Sequence, residues 1–489
     1  MNLLSKVVLA GLSATAVVLA WNTAQLPAPI ASNATTKLLD VDAAASAQRL
    51  AGAIQIPTVS FEDRSTIDTK QLDALASYLQ KTFPKVHATL TRERLEGGSL
   101  LYTWAGKDPK AKPILLLAHM DVVPVEPGTE TQWKHSPFSG DIADGYIWGR
   151  GTLDDKGNLV GLLEGVEALL AQGFAPSRTI YLAFGHDEEI GGDQGAVKVA
   201  ALLKSRGVKA EFSLDEGGVI TQGIIAGVDK PVASVMVAEK GYASFRLTAR
   251  AKGGHSSLPP ASTAVGDLAR AVARVQAKQM PGRLTPPVSE MLDRLAPEMP
   301  LPRRVVLANR WLFERLLVRM MSATPVSNAL VRTTTAPTML RAGIKDNVLP
   351  AEAYAVINFR LLPGDTVADV ENHLRTVIAD EHIEIKREGS MVSEASPVSD
   401  SHGASFAVIE KTVNQVFPEA IVSAGIVTGA TDNRHYADVF ENRYNFSPSL
   451  YRPEDLARVH GTDERIGVQA YVDMIRFYAQ LIQNAASTQ

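Results

Sequence analysis

The 489-residue sequence contains no cysteine. This absence excludes disulfides, thiolate metal sites and thiol nucleophiles, so any bound metal must be held by histidine, aspartate or glutamate. The chain also lacks a strong charge of either sign, because its net charge of −4 gives no basic footprint for a nucleic acid. Hydrophobic residues at 45% and charged residues at 21% are typical of globular proteins, and the length predicts two or more domains.

Long apolar runs are absent except at the N-terminus, where residues 7–21 follow the single early charge of Lys6. That run has the length of a signal peptide and is shorter than the usual membrane span of about 20 residues. A tether rich in proline, alanine, serine, asparagine and threonine follows it. We therefore interpret residues 1–30 as a signal peptide or a membrane anchor, which predicts an exported protein that is periplasmic, secreted or held at the membrane.

Helical patterns then alternate with short apolar strands, as in "LDALASYLQKTF", "ILLLAHMD", "GNLVGLLEGVEALLAQG" and "TIYLAFG". This alternation predicts an α/β catalytic domain with a mostly parallel sheet and helices on both faces. The pattern changes near residue 235 and resumes near residue 395. We expect residues 38–236 and 393–489 to form the catalytic domain, and residues 237–392 to form a smaller inserted domain.

The inserted region contains a basic amphipathic segment, residues 303–321, which places Val305, Leu312, Leu316 and Met320 near one helical face. The simplest interpretation is a helix that packs on the inserted domain. Two others are an apolar wall for an acyl chain and a patch that touches anionic lipid.

Acidic and histidine clusters follow the predicted strands, in "HMD", "HDEE" and "LDEGG". Because ligands bind beyond the carboxyl ends of parallel strands, the three clusters together predict one shared site. "GTLDDKGN" adds an aspartate pair at a helix start, and "VHGTDE" adds a histidine before the last helix. The predicted ligands are His119, one of Asp154 and Asp155, Glu189, Asp215 and His460.

This ligand set predicts two metal ions, each with a histidine and a terminal carboxylate, joined by one shared aspartate. Nitrogen and oxygen donors without sulfur suit Zn²⁺, and Mn²⁺ or Co²⁺ is also compatible with them. The adjacent glutamates Glu188 and Glu189 can divide the work, because one can bind metal while the other moves a proton.

The motifs "AHMDVVP", "GRGTLDDKGN", "HDEEIGG", "DEGG", "GGHSS", "NVLP", "FRLLPGD" and "VHGTDE" occur in this order between about residues 40 and 485. Together they resemble the co-catalytic zinc metallopeptidases that include aminoacylase, the Gly-X carboxypeptidase called carboxypeptidase S, and succinyl-diaminopimelate desuccinylase. The nearest branch contains carboxypeptidase S and the secreted N-fatty-acyl-amino-acid synthase/hydrolase. The resemblance implies a phosphorylase/hydrolase-like catalytic domain with an inserted ferredoxin-like lid or dimerisation domain.

The resemblance also implies a role for each ligand. His119 and Asp215 would bind one zinc, and Glu189 and His460 would bind the other. The "D-x-K-G" register of the family makes Asp154 the residue that bridges the two ions.

The remaining site residues are implied in the same way. Asp121 would orient His119, Glu188 would be the general base, and His255 would steady the tetrahedral intermediate, in some relatives across a dimer interface. The matched substrate-binding positions are Asn347, Arg360 and Arg434. The protein would be a monomer, or a homodimer formed through the inserted domain.

The implied reaction is zinc-dependent hydrolysis of an amide next to a free carboxylate, in a small peptide or an N-acyl amino acid. Two alternatives are a non-enzymatic ligand-binding relative and an enzyme that works mainly in the synthase direction. The complete ligand set with Glu188 argues against loss of the metals. A serine hydrolase is disfavoured, because "GGHSS" is not a nucleophile elbow.

Overall fold

The structure is a computed structural model that describes residues 3–27 and 36–487. The α-helices before residue 240 are α1 (Leu3–Ala24), α2 (Ala43–Ile54), α3 (Thr69–Thr82), α4 (Pro84–Thr89), α5 (Lys156–Ala171) and α6 (Ala196–Ser205). The strands of this part are β1 (Thr91–Arg94), β2 (Leu100–Trp104), β3 (Ile114–His119), β4 (Ile142–Ala143), β5 (Tyr146–Trp148), β6 (Ile180–Gly185), β7 (Ala210–Asp215), β8 (Ile220–Thr221) and β9 (Val232–Glu239).

The middle of the chain carries β10 (Gly241–Arg250), β11 (Gly254–His255), α7 (Ala264–Ala277), α8 (Pro286–Leu295), α9 (Leu301–Ala308), α10 (Arg310–Met321), α11 (Pro325–Val331), β12 (Thr334–Ala342), β13 (Val348–Leu349), β14 (Glu352–Leu361), α12 (Val367–Ile378) and β15 (Ile383–Ser393). The last part carries α13 (Ala404–Val416), β16 (Ile421–Val427), β17 (Phe440–Asn445), β18 (Leu450–Tyr451), β19 (Arg465–Gly467) and α14 (Val468–Ala486).

A large sheet runs in the order β1-β2-β6-β3-β7-β17-β9-β8-β18, with β16 also paired to β9. Its central strands β6, β3, β7 and β17 are parallel neighbours. Side chains alternate across a strand, so Leu116 of β3 enters the core beneath α5 and α14, whereas Leu115 and Leu117 enter the core beneath α6. The continuous apolar run of β3 is thus explained by helices on both faces, and the predicted α/β fold class is confirmed.

A second, antiparallel sheet has the order β12-β14-β10-β15 and its own core with helices α7 and α12. The chain order β10-α7-β12-β14-α12-β15 with this strand order is the ferredoxin-like arrangement. The chain enters and leaves this sheet at one crossing, where a Cβ on Gly241 would lie 2.5 Å from the Ser393 carbonyl oxygen. Only glycine allows the two backbones to approach so closely.

The basic segment 303–321 forms α9 and α10, which pack on other helices of the region 237–392 and on the large sheet. Leu307 and Leu317 join a hydrophobic cluster with Ala238 and Ile426 of the large sheet. Helix α8 of the same helical group lies on the edge strand β16. An amphipathic pattern shows that a helix has a buried face and does not show which surfaces bury it.

Helix α1 is the one helix within residues 3–27 and 36–487 that is long and apolar enough to cross a membrane. Its apolar window is not buried in the fold, although its C-terminal end contacts α9. Both observations fit a targeting segment at this end of the chain.

Candidate metal centre

The acidic clusters meet at the carboxyl ends of three adjacent parallel strands. His119 is the last residue of β3, and Asp215 is the last residue of β7 and is followed by Glu216. Glu188 and Glu189 lie in a 3-10 turn just after β6. Because β6, β3 and β7 are neighbours that point the same way, their ends converge on one edge of the sheet.

The carboxylate of Asp154 lies at the centre of the cluster and faces two histidines. Its Oδ1 is 2.9 Å from His119 Nε2, and its Oδ2 is 3.1 Å from His460 Nε2. Glu216 Oε1 lies 3.2 Å from the same nitrogen of His119, and Glu189 Oε2 lies 3.2 Å from that of His460. The site therefore consists of two donor groups, each with one imidazole and two carboxylates, that share Asp154.

Glu216, and not Asp215, is the carboxylate that faces His119. Asp215 belongs to neither donor group, and its own Oδ1 accepts the Glu216 N–H at 2.9 Å. Burial raises the pKa of Asp215 to about 7. Asp215 was the expected ligand here, whereas in the structure the next residue, Glu216, lies beside His119. The same adjacency of two acids that drew attention to "HDEE" is present in "DEGG" and could have raised the alternative.

His119 is held by the backbone of Asp121 more closely than by its carboxylate. His119 Nδ1 donates to the Asp121 carbonyl oxygen at 2.9 Å, whereas Asp121 Oδ1 lies 3.4 Å away. In a neutral imidazole this bond keeps the proton on Nδ1 and leaves Nε2 free to bind a cation. The Asp121 carboxylate instead accepts the backbone N–H groups of Glu188 and Glu189, both at 3.2 Å, and the Ser60 hydroxyl at 2.7 Å. Asp121 thus fixes His119 and the two glutamates relative to each other.

The charges of the cluster favour a bound cation. Burial raises the pKa of Glu188, Glu189 and Glu216, and their carboxylate neighbours raise it further. Hydrogen bonds to Asp154 and Glu189 raise the pKa of His460 to about 10. Glu189 Oε1 is buried and has no hydrogen-bond partner among the described residues. A positive ion would offset this repulsion, and binding it would displace the protons.

The spacing of the donor atoms also fits such an ion. Two ligands at about 2.1 Å from a tetrahedral zinc are about 3.4 Å apart. The observed separations of 2.9 to 3.2 Å need only small outward shifts to reach that value. Imidazole and carboxylate donors without sulfur are those that zinc shares with manganese and cobalt.

A buried ion pair holds the loop that carries Asp154. Glu464 Oε1 accepts the N–H groups of Gly151 and Leu153, both at 2.9 Å, and that of Asp154 at 3.3 Å. Its Oε2 accepts from the Arg150 guanidinium at 2.6 Å, and both side chains are buried. Neither Arg150 nor Glu464 was expected from the sequence, although Glu464 lies within the "VHGTDE" motif.

Asp155 takes a different role from its neighbour Asp154. It stands at the N-cap position of α5 but makes no side-chain cap hydrogen bond there. Its Oδ2 accepts the backbone N–H of His119 at 3.0 Å. Asp154 therefore faces both histidines, whereas Asp155 supports the end of β3.

Comparison with known proteins identifies the family of this chain. The model of peptidase family M20/M25/M40 matches residues 115–484. The chain belongs to this family. The matched range contains every residue of the two donor groups.

Several relatives cover nearly the whole chain. It is 41% identical over 454 residues to the N-fatty-acyl-amino acid synthase/hydrolase PM20D1 of Xenopus tropicalis, covering 92% of this chain and 88% of the relative. It is 42% identical over 453 residues to the probable carboxypeptidase S-like 2 of Dictyostelium discoideum, covering 92% and 86%. The M20 family metallo-carboxypeptidase Sso-CP2 of Sulfolobus solfataricus has the same fold, with a TM-score of 0.65 at 18% identity, over 90% of this chain and 98% of that one.

The charges of two predicted substrate-binding residues, Arg360 and Arg434, act on each other. Burial lowers the pKa of Arg360, and the nearby charge of Arg434 lowers it further, although Tyr242 partly opposes both. The Arg360 guanidinium lies 4.7 Å from the centre of the Tyr242 ring, and Arg434 donates to the Gly191 carbonyl oxygen at 3.0 Å. Arg360 thus comes from β14 of the second sheet, and Arg434 comes from the 3-10 turn between β16 and β17 of the large sheet. Neither guanidinium forms an ion pair within residues 3–27 and 36–487, so both remain available to a carboxylate.

Lys240 is a charged neighbour of Arg360 that could not be recognised from the sequence motifs. Its Nζ donates to the carbonyl oxygens of Ala329 and Arg332, at 2.9 and 2.7 Å. Burial lowers the pKa of Lys240 to about 7, and the Arg360 charge contributes. Lys240 therefore ties α11 to the crossing between the two sheets beside Arg360.

His255 and Asn347 lie in the inserted region, away from the two arginines. His255 is exposed on the short β11–β13 ribbon, and its Nδ1 accepts the Ser257 N–H at 3.1 Å. The Asn347 carbonyl oxygen accepts the N–H of Ser256 at 3.1 Å, so the two predicted residues are neighbours. No contact among the described residues of one chain joins either of them to the metal-binding groups.

The two residues of "HDEE" that had no predicted task have structural ones. The Ser99 hydroxyl lies 2.6 Å from His186 Nδ1. Asp187 Oδ2 accepts from the Arg64 guanidinium at 2.7 Å and from the Gln194 N–H at 2.9 Å. These bonds hold both ends of the turn that presents the two glutamates.

Proposed function

We propose that the chain is a di-zinc hydrolase that cleaves an amide bond next to a free carboxylate. The observation that carries the proposal is the placement of Asp154, whose two oxygens face His119 and His460 separately. A carboxylate in that position can bridge two ions, which in co-catalytic sites lie about 3.5–4 Å apart.

His119, Asp154 and Glu216 would hold one ion, and Asp154, Glu189 and His460 would hold the other. When bound, the two metal ions would supply Lewis-acid activation of water and of the amide carbonyl. Zinc suits the donor set best, and manganese or cobalt would be accommodated by the same atoms.

Glu188 would move the proton. It lies in the same turn as Glu189, and its backbone is fixed by Asp121, yet it belongs to neither donor group. Its carboxylate would take a proton from the attacking water and then pass it to the nitrogen of the leaving amine. Its pKa is raised first by burial, and a bound cation nearby would lower that pKa again, so that one group can serve as base and then as acid.

Arg360 and Arg434 would bind the free carboxylate of the substrate. Two unpaired guanidiniums that repel each other gain from an anion between them, and a guanidinium fork matches both carboxylate oxygens. This arrangement suits Gly-X peptides and N-acyl amino acids, because both end in a carboxylate next to the scissile amide. The two relatives named for carboxypeptidase S and for the fatty-acyl amino acid enzyme support these two substrate classes.

His255 would act on a substrate bound by a second copy of the chain. His255 is exposed, and neither it nor its half-buried neighbour Asn347 forms a hydrogen bond with a described residue of its own metal centre. Strand β12 is an edge of the second sheet, and Met339 and Leu340 on it are exposed. An exposed apolar edge strand favours pairing with another chain, which supports a homodimer formed through the inserted domain.

The protein would be exported, with α1 as its signal or anchor. That placement agrees with the absence of cysteine, which leaves no thiol to oxidise outside the cell.

Incubation of the zinc-loaded chain with Gly-X dipeptides and N-long-chain-acyl amino acids tests the proposal. Each substrate is paired with its C-terminal amide, and products are followed by mass spectrometry. We expect hydrolysis of at least one class, and a loss of roughly tenfold to hundredfold in kcat/KM for the amides, because a charge-assisted hydrogen bond contributes about 1.5–3 kcal/mol. Activity on neither class would refute the assignment, and equal rates for acids and amides would refute carboxylate recognition.

A further inference from the structure

Helix α10 carries an exposed stripe that no other described residue covers. Three successive turns contribute two residues each, and four of the six are large and apolar. The stripe consists of Trp311, Leu312, Arg315, Leu316, Arg319 and Met320. Trp311 is 63% exposed and Leu316 is 48% exposed, values unlike those of a packed helix face.

The opposite face of α10 is already used for packing. Leu317 is buried in the cluster with Leu307, Val288 and Ile426. The α10 stripe is therefore a second apolar face on a helix that the fold has already fixed. Contiguous exposed apolar surface is uncommon on soluble proteins and marks a contact with something else.

The stripe begins where α1 leaves the folded body. Asn309, buried between α9 and α10, accepts a hydrogen bond from Asn22 of α1 at 2.9 Å and donates to the Leu19 carbonyl oxygen at 3.2 Å. Trp311 Nε1 lies 3.4 Å from the same Asn309 oxygen. Leu26, just after α1, joins the cluster that holds α10. The end of a membrane-length helix is thus fixed at the first turn of the stripe.

Two exposed tryptophans mark this junction. Trp21, near the end of α1, is 65% exposed, and Trp311 starts the α10 stripe. Tryptophan is enriched at membrane–water interfaces, where its ring sits among the lipid head groups. From Trp311 the stripe extends about 13 Å along α10, at 1.5 Å per residue.

The charges on α10 favour an anionic surface. Arg315 and Arg319 lie within the stripe and form no ion pair with any described residue. Glu314 is the one acidic residue of the helix, and Arg310 is neutralised by Asp293 at 2.6 Å. Apolar side chains beside unpaired arginines are the composition of a helix that lies in the plane of a bilayer.

We propose that the α10 stripe rests in the head-group layer of an anionic lipid bilayer, beside the point where α1 inserts. The stripe would fix the orientation of the enzyme above the membrane, which α1 alone would leave free. It would also place the enzyme at the surface where amphiphilic molecules collect.

Site-directed spin labelling of the full chain tests this contact, because the absence of cysteine makes every introduced thiol unique. Leu316→Cys carries the label on the stripe, and Val197→Cys, on the exposed side of α6, is the control. The intact mass confirms that α1 is retained, and the chain is placed in nanodiscs of phosphatidylcholine with or without phosphatidylglycerol. Collisions with oxygen, which enters the acyl region, are compared with collisions with a water-soluble nickel chelate.

We expect the label at 316 to favour oxygen in the anionic nanodiscs and the label at 197 to favour nickel. Arg315→Gln and Arg319→Gln should each weaken the contact about fivefold, since each basic residue near an anionic surface contributes about that factor. A label at 316 that favours nickel in both nanodiscs would overturn the proposal. Access to neither reagent, which indicates a protein contact, would overturn it too, as would bilayer contact that does not depend on phosphatidylglycerol.

Discussion

The carboxylate of Glu464 holds the loop of the bridging aspartate, so Glu464→Gln should weaken both the fold and the metal centre. Glutamine has nearly the same shape, and one oxygen can still accept from Gly151 and Leu153. It cannot neutralise Arg150, which is almost fully buried. Breaking a buried pair by removing one partner costs about 3–5 kcal/mol, because the other charge stays buried and unpaired.

The stabilities of the wild type and the variants are best compared in the metal-free chains, since bound ions stabilise the fold by mass action. Urea unfolding of the region around the large sheet can be followed by tryptophan fluorescence. The free energy of unfolding should fall by about 3 kcal/mol or more in Glu464→Gln. Glu164→Gln removes another pair, with Arg49 at 2.5 Å, whose arginine is one-third exposed, and should cost only about 1 kcal/mol. Metal binding should weaken in the first variant and not in the second. Unchanged stability and full metal content in Glu464→Gln would refute the role given to this pair.

Three further outcomes are expected. Glu188→Gln should lower kcat by about 10²–10⁴-fold with full metal content, whereas Glu189→Gln should lose metal; metal loss in both would contradict the division of labour. Glu216→Gln should lose metal and Asp215→Asn should keep it, as metal analysis of the two variants will show, and the reverse pattern would restore the original expectation. Arg360→Gln should raise KM for substrates with a free carboxylate but not for their amides; equal effects on both would remove this arginine from carboxylate binding.

The convergence of the acidic clusters could be predicted from the sequence. Each cluster directly follows a short apolar run, and parallel strands end at one edge, so no long-range information was needed to bring His119 and Glu189 together. The two-sheet architecture could be predicted for a similar reason, because the change of pattern near residue 235 is a local signal.

The choice between Asp215 and Glu216 could not be made from the sequence. Side chains alternate along a strand, and β7 ends at Asp215, so a shift of one residue in that end exchanges the two carboxylates. Strand ends are the least certain part of any assignment from a pattern. The pairing of Arg360 with Arg434 is also non-local, because it depends on how the second sheet meets the first at Gly241.

The packing partners of α10 could not be predicted from the sequence either. Its periodicity places Leu312, Leu316 and Met320 on one apolar face, whereas the structure buries Leu317 instead. The partners of the buried face are set by the placement of the whole helical group on β16. The contact of Asn309 with Asn22 joins residues 287 positions apart, which no local pattern can indicate. The apolar face of Leu312, Leu316 and Met320 could be recognised in the pattern, but not that the fold would leave it exposed.

The central claim is that Asp154 is shared by two metal ions, and native mass spectrometry of the full chain tests it most directly. The wild-type chain should carry two zinc ions, and Asp154→Ala should lose both together, since each donor group includes this carboxylate. Asp193→Ala removes an exposed aspartate from the neighbouring loop and should retain both ions. One ion in the wild type, or two ions retained by Asp154→Ala, would contradict the shared centre.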